Sequence, residues 1–205
     1  MTYDSLIADV QSYLERTDTQ TVEKIPTFVM LAEQIIASQI KFLGNLTVQT
    51  STMTQNDPVI AKPARWHKTV SMNVTVNGEK RPVFLRKYEY LRTYAPDSTD
   101  AGIPEYYADY DYQHWLVAPT PNDDYAFEVL YYERVQPLDS TNQTNWFTQY
   151  APQALLYGAL LQSAPFLKND ARIPMWKAQY DEIMQTLKAE DTLRIGDRQS
   201  TVLDS

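Results

Sequence analysis

Hydrophobic residues at the two ends of the chain recur at the spacing of amphipathic helices. The pattern predicts helices over about 3–16, 26–43, 145–166 and 171–190. The second prediction is supported by Pro26, which suits the first turn of a helix, and by Gly44, which suits the position after the last turn. Because the segment 145–166 is apolar on most sides, we expect it in the centre of a helical bundle.

Between about 46 and 135 the apolar residues alternate with polar ones, as they do in β-strands. The β-branched residues at 69–76, followed by Asn77-Gly78 and by residues 81–85, predict a β-hairpin with a tight turn. A short helix is predicted over about 88–94, and the sheet is expected to resume after it.

The segment 104–137 contains three short tyrosine-rich strands. Its last strand is largely apolar on both faces, which predicts that each face is covered. In the preceding strand Tyr106, Ala108, Tyr110 and Tyr112 share one face, and Tyr107, Asp109 and Asp111 share the other. This second face is predicted to be an acidic outer surface that carries tyrosine, although the β-propensity of tyrosine in a half-buried sheet accounts for the same pattern.

Together these patterns predict an α+β fold. We expect a helical bundle formed from both ends of the chain, with an inserted antiparallel β-sheet and an extended C-terminal tail. A single α+β domain is predicted over 1–190, and a docking tail over 191–205. Few residues of the tail are apolar, so it is not expected to build structure of its own.

Composition and charge limit the classes of protein that this chain can belong to. The chain has 205 residues, a hydrophobic fraction of 43% and no cysteine, and its formal net charge is −8. No apolar run approaches the roughly 18 residues of a membrane span, and the first ten residues do not resemble a secretory signal, so we expect folding in a cytoplasm. The absence of cysteine excludes disulfides, thiolate nucleophiles and cysteine-ligated zinc. The acidic balance argues against static gripping of DNA, but it would suit a surface past which DNA slides.

The sequence contains no pattern typical of a cofactor or metal site. Its glycines stand at positions 44, 78, 102, 158 and 196, too far apart for a dinucleotide fingerprint, a phosphate-binding loop or a nucleophile elbow. His67 and His114 lie beside tryptophans and lack the neighbouring ligands that a metal would need. We therefore predict no cofactor and no metal.

Charged clusters give two further candidate features. Asp109 with Asp111 and Asp123 with Asp124 are carboxylate pairs, but a solvated strand and a turn explain them without catalysis. The basic residues are Lys80, Arg81, Arg86, Lys87 and Arg92. This basic cluster is the candidate site for an acidic partner or for DNA, and a solvated hairpin edge would look the same. We predict that the protein is not an enzyme.

Several segments stand in a specific order along the chain. They are KIPTFVMLAEQIIASQI at 24–40, PARWHKTVSMNV at 63–74, FLRKYEYLRTYAP at 84–96, GIPEYYADYDYQHWLVAPTPNDDYAFEVLYYERVQPL at 102–138, NWFTQYAPQALLYGALLQSAPFLKND at 145–170 and WKAQYDEIM at 176–184. This order resembles that of the head-to-tail adaptor proteins of tailed bacteriophages, and the resemblance covers about 3–190. The order of the pieces, more than any single motif, carries it.

The resemblance implies a structural virion protein at the head-tail interface, assembled in the cytoplasm of a bacterial host. Such adaptors form a closed ring of about twelve copies. The implied partners are further copies of the chain, the portal protein above the ring, and a tail nozzle or tail tube protein below it. Tail fibres are a further candidate partner. The ring encloses a channel through which genome DNA passes without sequence-specific binding.

Aromatic and tail residues are the candidate contacts of such a ring. In the sheet they are Tyr106, Tyr107, Tyr110, Trp115, Tyr131 and Tyr132. In the tail they are Leu193, Arg194, Ile195, Val202 and Leu203. The candidate contacts to an acidic partner or DNA are Arg81, Arg86, Lys87 and Arg92. The resemblance implies no catalytic residues.

Two other functions fit the same residues. A carbohydrate-binding or glycan-hydrolysing virion protein would use Tyr107, Trp115 and the acidic strand as a platform for a sugar. A generic protein-interaction module would have the same helices and sheet without forming a ring.

Overall fold

The structure is a computed structural model, and it describes residues 1–40, 45–97, 99–167 and 171–199, without the side chains of 194–199. The helices are α1 (Tyr3–Leu14), α2 (Thr19–Val22), α3 (Ile25–Gln39), α4 (Tyr88–Tyr94), α5 (Trp146–Tyr150), α6 (Pro152–Leu167) and α7 (Ile173–Gln199). The strands are β1 (Leu46–Met53), β2 (Val59–Ala61), β3 (Trp66–Val76), β4 (Glu79–Leu85), β5 (Ala101–Gly102), β6 (Tyr106–Asp109), β7 (His114–Ala118), β8 (Thr120–Pro121) and β9 (Tyr125–Glu133).

The chain divides into two compact units. The helical unit consists of Met1–Gly44 and Val135–Ser205, and the sheet unit consists of Asn45–Arg134. Each unit has a hydrophobic core of its own. None of the described helices is long and apolar enough to cross a membrane.

In the helical unit, α1, α3 and α7 each pack against α6. The core is formed by buried side chains that include Leu6, Phe28, Ile36, Leu155, Leu160 and Trp176. Gly158 allows α3 and α6 to approach closely, because a Cβ at this position would lie 3.1 Å from the Ala32 Cβ and 3.3 Å from the Tyr180 ring. α6 is therefore the central helix of this unit.

Side-chain caps fix where two of these helices begin. The Thr2 hydroxyl accepts from the Ser5 N–H, and the Ser5 hydroxyl accepts from the Thr2 N–H, which is a capping box at the start of α1. Asn145 and Thr148 form the same arrangement at the start of α5. Each box satisfies backbone N–H groups that the first turn of a helix leaves without partners.

In the sheet unit, the described strands form a seven-stranded sheet in the order β1-β9-β3-β4-β6-β7-β2. β4 and β6 pair in parallel and the other neighbours are antiparallel, so the sheet is mixed, and it nearly closes into a barrel. β5 and β8 form a separate parallel pair. The interior of the large sheet holds Met72, Phe127, Tyr131, Tyr107 and Trp115.

The predicted hairpin is present at β3 and β4. Val76 pairs with Glu79, and the two turn residues between them both have positive φ, 53° at Asn77 and 84° at Gly78. These values are those of a type I′ turn, whose twist matches that of the two strands. An Asn-Gly pair adopts them readily, since asparagine and glycine tolerate the left-handed region.

The predicted fold class is wrong in its description of the sheet. We expected a helical bundle with an inserted antiparallel sheet, whereas the structure has a seven-stranded mixed sheet with its own core. α4 lies in the connection between β4 and β6, and a parallel pair requires such a crossover. Hydrophobic periodicity reveals strands but not which of them become neighbours, so the parallel pairing could not be predicted from it.

The extended C-terminal tail is also wrong where the structure describes it. α7 continues to Gln199, so residues 191–199 are helical. Residues 200–205, which include Val202 and Leu203, lie outside the described residues, as do residues 41–43 and Gly44 at the predicted end of the second helix. The predicted helix over 145–166 is interrupted at Ala151, because Pro152 begins a new helix there.

Candidate functional site

The outer side of the sheet unit carries a cluster of exposed aromatic residues around α4. Leu91 attaches this helix to the sheet, since it packs with Ala108, Leu116 and Ala118 in a small buried cluster. The tyrosines that flank Leu91 then project to either side of the helix. We call the larger group, formed by Phe84, Arg86, Tyr90, Tyr94 and Tyr106, the tyrosine–arginine surface.

Three tyrosine rings of this surface contact one another. Tyr90 and Tyr94, one helical turn apart, stack with ring centroids 6.1 Å apart. Tyr106 on β6 meets both rings edge to face, at 5.5 Å from Tyr90 and 5.0 Å from Tyr94. Such packing between aromatic rings fixes their orientation. The rings therefore form an ordered surface while Tyr90 and Tyr94 stay exposed.

Arg86 is held against this group of rings. Its guanidinium carbon lies 5.8 Å from the centre of the Tyr90 ring and 5.4 Å from that of Tyr106. Its Nη1 also donates to the Leu85 carbonyl, at 3.3 Å. No carboxylate of the described residues lies within ion-pair distance of Arg86. An arginine stacked on aromatic rings keeps donor edges that can bind a carboxylate or a phosphate.

The phenols of Tyr94 and Tyr106 remain neutral at neutral pH. A hydrogen bond to Glu105, 3.1 Å from the Tyr94 hydroxyl, raises the pKa of Tyr94 above its usual value. A hydrogen bond with Tyr90 raises the pKa of Tyr106, and the charge of Arg86 only partly opposes this shift. Arg86 is therefore the source of charge among these five residues.

The opposite side of α4 repeats the pairing of tyrosine with arginine. The Arg92 guanidinium lies 5.1 Å from the Tyr88 ring, and its Nε donates to the Tyr88 hydroxyl at 2.9 Å. The Tyr88 ring in turn lies 6.2 Å from that of Tyr110. These contacts join α4 to the turn between β6 and β7.

That turn is held in one conformation by buried and capping groups. The Lys62 side chain is 3% exposed, pairs with Asp109 and donates to the Asp111 carbonyl at 2.5 Å. The Asp111 carboxylate accepts from the backbone N–H groups of Gln113 and His114 at 2.7 and 2.8 Å, and it contacts the His114 ring at 2.9 Å. The hydrogen bond to His114 is the main reason that the pKa of Asp111 is lowered. The turn therefore presents Tyr112, 77% exposed, on a rigid support.

A buried carboxylate is the main titratable feature of the helical unit. Glu33 on α3 accepts from the Leu138 N–H at 3.2 Å and from the Asn145 side-chain amide. Burial raises the pKa of Glu33, and these two hydrogen bonds only partly oppose the shift. Glu33 thus ties the segment before α5 to α3. Within the described residues, no group of three or more His, Cys, Asp or Glu could hold a metal ion.

A comparison with known families decides what kind of protein carries these features. The family model described as SU10 adaptor protein matches residues 1–202. The chain belongs to this adaptor family. The comparison with curated proteins gives no match.

Membership of the SU10 adaptor family confirms the resemblance found in the sequence. The protein is a structural component of a bacteriophage, a head-to-tail adaptor whose place is the junction of head and tail in the virion. The family is a structural one and is not known for enzymes. It implies contacts with other virion components such as portal and tail.

The adaptor does not expose all of the predicted contact residues. Tyr107, Trp115 and Tyr131 are buried in the sheet core, where the Tyr107 and Trp115 rings lie 6.1 Å apart. Tyr106 and Tyr132 are half-buried, and Tyr110 is exposed. The acidic outer surface that was expected to carry Tyr107 therefore lacks that residue. A sugar platform built from Tyr107 and Trp115 has the same difficulty, because both rings face the interior.

The predicted basic residues are all exposed, and they fall into two groups. Arg81 lies near the β3–β4 hairpin, close to Lys80, which pairs with Glu128 at 2.6 Å. Arg86, Lys87 and Arg92 lie at the other end of β4 and along α4. Within the described part of the chain, Arg81, Arg86, Lys87 and Arg92 have no carboxylate at ion-pair distance.

The predicted tail residues belong to α7 or lie beyond it. Leu193 is 71% exposed on this helix. Arg194 and Ile195 are in the helix, but their side chains are not described, and Val202 and Leu203 lie outside the described residues.

Sequence reasoning missed the exposed aromatic residues of the tyrosine–arginine surface, which are Phe84, Tyr90 and Tyr94. A signal for two of them is present, because Tyr90 and Tyr94 are spaced i, i+4 and therefore lie side by side on α4. Phe84 gave no such signal, since its place next to Tyr106 depends on the parallel pairing of β4 with β6.

Proposed function

We propose that this protein forms a ring of about twelve copies, a dodecamer, beneath the portal. The ring would join the capsid vertex to a tail nozzle or tail tube protein and line the channel for genome DNA. The observation that carries this proposal is the adaptor family match over residues 1–202. A ring also gives each subunit two lateral faces to cover, which suits an exposed aromatic surface.

The acidic balance of the chain supports the channel. With a net charge of −8, the protein offers few cations to neutralise phosphates. Each lysine or arginine that binds a phosphate releases counterions and strengthens the grip on DNA. A weakly binding wall lets a genome pass without being held.

The C-terminal segment 191–205 is our candidate for docking on the portal or on a neighbouring copy. Leu193 supports this role, because an exposed leucine near the end of a helix is available to a partner. Arg194 and Ile195 follow it in α7, and Val202 and Leu203 add apolar groups further along the sequence.

Negative-stain imaging of the purified protein mixed with portal rings tests the proposal. An adaptor adds a layer to the portal end that faces the tail, whereas a generic interaction module or a sugar-binding protein leaves the portal unchanged. A truncation after Glu190 is expected to lower the occupancy of that layer. Helical content measured by circular dichroism shows that the shortened protein is folded, and full occupancy by a folded truncation would refute the role of the segment.

A further inference from the structure

The tyrosine–arginine surface exposes aromatic side chains to solvent, and the charge of Arg86 has no carboxylate beside it in the described structure. Phe84 is 53% exposed, and Tyr90 and Tyr94 are exposed to similar extents. Because an aromatic side chain offers about 150–250 Å² for burial, these three residues leave on the order of 300 Å² of accessible surface. That is more than a third of the roughly 800 Å² that one partner contributes to a standard interface.

The net charge of the chain limits which partners the tyrosine–arginine surface can bind. With a net charge of −8, two copies repel each other unless opposite charges meet locally. Arg86 is fixed by two rings and has no carboxylate partner among the described residues. A carboxylate on the partner is therefore the complement that the surface requires.

The same unit carries exposed carboxylates at a second place, which we call the acidic corner: Asp57, Asp123 and Asp124. The β1–β2 and β8–β9 connections meet there, since the Gln55 N–H donates to the Asp124 carboxylate and the Asn56 N–H donates to the Pro121 carbonyl, each at 2.8 Å. No lysine or arginine of the described residues forms an ion pair with these three aspartates.

The two places are separate within one chain. Asp124 lies before β9, whose Phe127 is level with Val74 and hence with Arg81 near the start of β4, whereas Tyr106 pairs with Phe84 near the end of β4. Asp57 precedes β2, which lies three strands from β4 in the sheet order. None of these aspartates forms an ion pair with Arg86 in the described structure, but a second copy can supply them.

We propose that the tyrosine–arginine surface of one copy binds the acidic corner of the next copy. This inference rests on the proposed function, and it identifies the lateral contact of the ring. Such a contact joins two different surfaces of identical chains, and contacts of that kind generate closed rings when the rotation between subunits closes. The Arg86 guanidinium would bind an aspartate of the acidic corner. The exposed rings of the tyrosine–arginine surface would pack against the β1–β2 and β8–β9 connections of the next copy.

Cysteine cross-linking tests this pairing directly, because the chain contains no native cysteine. Thr93→Cys lies beside the tyrosine–arginine surface and Thr54→Cys lies beside the acidic corner, and both positions are exposed. The two single-cysteine proteins are mixed with each other and treated with a short bis-maleimide. The reaction is run in two conditions, at high protein concentration without portal and in the presence of portal rings. We expect a covalent dimer that contains one chain of each kind. Val48→Cys, exposed on β1 of the same unit and away from the acidic corner, replaces Thr54→Cys in the control and is expected to give no dimer.

Charge reversal shows whether the contact depends on the proposed groups. Arg86→Glu is expected to lower the yield of dimer by at least about tenfold, and the pair Asp123→Lys with Asp124→Lys is expected to do the same. The triple variant, with both surfaces reversed, is expected to recover the dimer. Arg134→Glu makes the same change of net charge at an exposed position after the end of β9, away from both surfaces, so it is the matched control and should leave the yield unchanged.

The outcomes separate this inference from the proposed function. Intact rings on the portal without the cross-link, or with a cross-link that ignores charge reversal, overturn the inference and leave the ring in place. A cross-link from Thr93→Cys to the portal protein also overturns it. A charge-dependent dimer in a protein that never docks on a portal supports the inference and overturns the proposed function. A chain that neither docks nor self-associates overturns both.

Discussion

The helical unit and the sheet unit differ in what surrounds their arginine side chains. In the helical unit the described arginine side chains lie near carboxylates, Arg16 at 3.9 Å from Asp18 and Arg172 at 3.9 Å from Glu15. In the sheet unit Arg86 is stacked on exposed tyrosines and has no such neighbour in the described structure. The contrast indicates that Arg16 and Arg172 find carboxylates within the helical unit, whereas Arg86 of the sheet unit is left for a partner.

This difference separates two kinds of substitution. A change in the interior of the helical unit removes packing that stabilises the fold, so it should alter the free energy of unfolding. A change at the tyrosine–arginine surface removes groups that are already in contact with water, so it should alter association while the fold is retained. Substitutions in the two units can therefore test this separation.

Leu160→Ala should produce the largest loss of stability. Leu160 is fully buried in the core of the helical unit, and truncation removes apolar contacts and leaves a cavity. We expect the free energy of unfolding to fall by about 2–5 kcal/mol. Chemical denaturation followed by circular dichroism measures the change. Leu193→Ala is the matched control, because the same atoms are removed from an exposed leucine and the expected change is within about 0.5 kcal/mol.

Gly158→Ala tests how tightly α3 and α6 are packed. The new Cβ would lie 3.1 Å from the Ala32 Cβ, which is attached to α3 and cannot rotate away. Overpacking costs about 1–3 kcal/mol, and the higher helix propensity of alanine offsets up to about 1 kcal/mol of it. We expect a net loss of about 1–2 kcal/mol in the free energy of unfolding.

A double-mutant cycle checks the cause of that loss. Ala32→Gly removes the methyl group that the new side chain would meet, so the combination with Gly158→Ala should be less destabilising than the sum of the two single changes. A stabilised Gly158→Ala protein would instead mean that α3 moves away at little cost.

These packing relations mark the limit of what the sequence could predict. Local patterns predicted much of the secondary structure. The 3.6-residue periodicity predicted helices where α1, α3, α6 and α7 lie, and Asn77-Gly78 predicted the hairpin that β3 and β4 form. The parallel pairing of β4 with β6 joins strands separated by a helix, and no local pattern encodes it.

The same limit applies to the candidate site, where local features could be predicted and contacts between distant elements could not. Tyr107 shares a strand face with Asp109 and Asp111, as an exposed residue would, yet Tyr107 and Trp115 are both buried in the nearly closed sheet. Arg86 was recognised from its basic neighbours in sequence, but the rings of Tyr90 and Tyr106 that hold it come from two different elements. A residue's chemistry could be predicted from the sequence, whereas its neighbours across the sheet could not.

Lys62→Met tests whether the rigid turn beside α4 depends on one buried ammonium group. Methionine keeps most of the aliphatic stem but removes the ammonium group, which lies 4.4 Å from the centre of the Trp66 ring, and with it the contacts to Asp109 and to the Asp111 carbonyl. Hydrogen bonds to charged groups contribute about 1.5–3 kcal/mol, so amide hydrogen exchange at 112–114 should accelerate by roughly tenfold or more. Lys68→Met, an exposed lysine on β3, is the matched control. Equal protection in both variants would show that the turn is held by Asp111 alone.

Glu33→Gln should have the smallest effect, a change in the pH dependence of stability. Burial raises the pKa of Glu33 in the folded protein, so between the pKa of the unfolded carboxyl, about 4.3, and the raised folded value, the folded state binds more protons. The contribution of Glu33 is therefore fully present below about pH 4.3 and is lost as the pH rises through the folded pKa. Glutamine cannot titrate. The free energy of unfolding of the variant should therefore fall less steeply with rising pH in this window than that of the wild type.

Denaturation curves at a series of pH values measure the two slopes, with Glu23→Gln as the exposed control. Identical slopes for Glu33→Gln and wild type would mean that the hydrogen bonds from Leu138 and Asn145 compensate for the burial of the carboxylate.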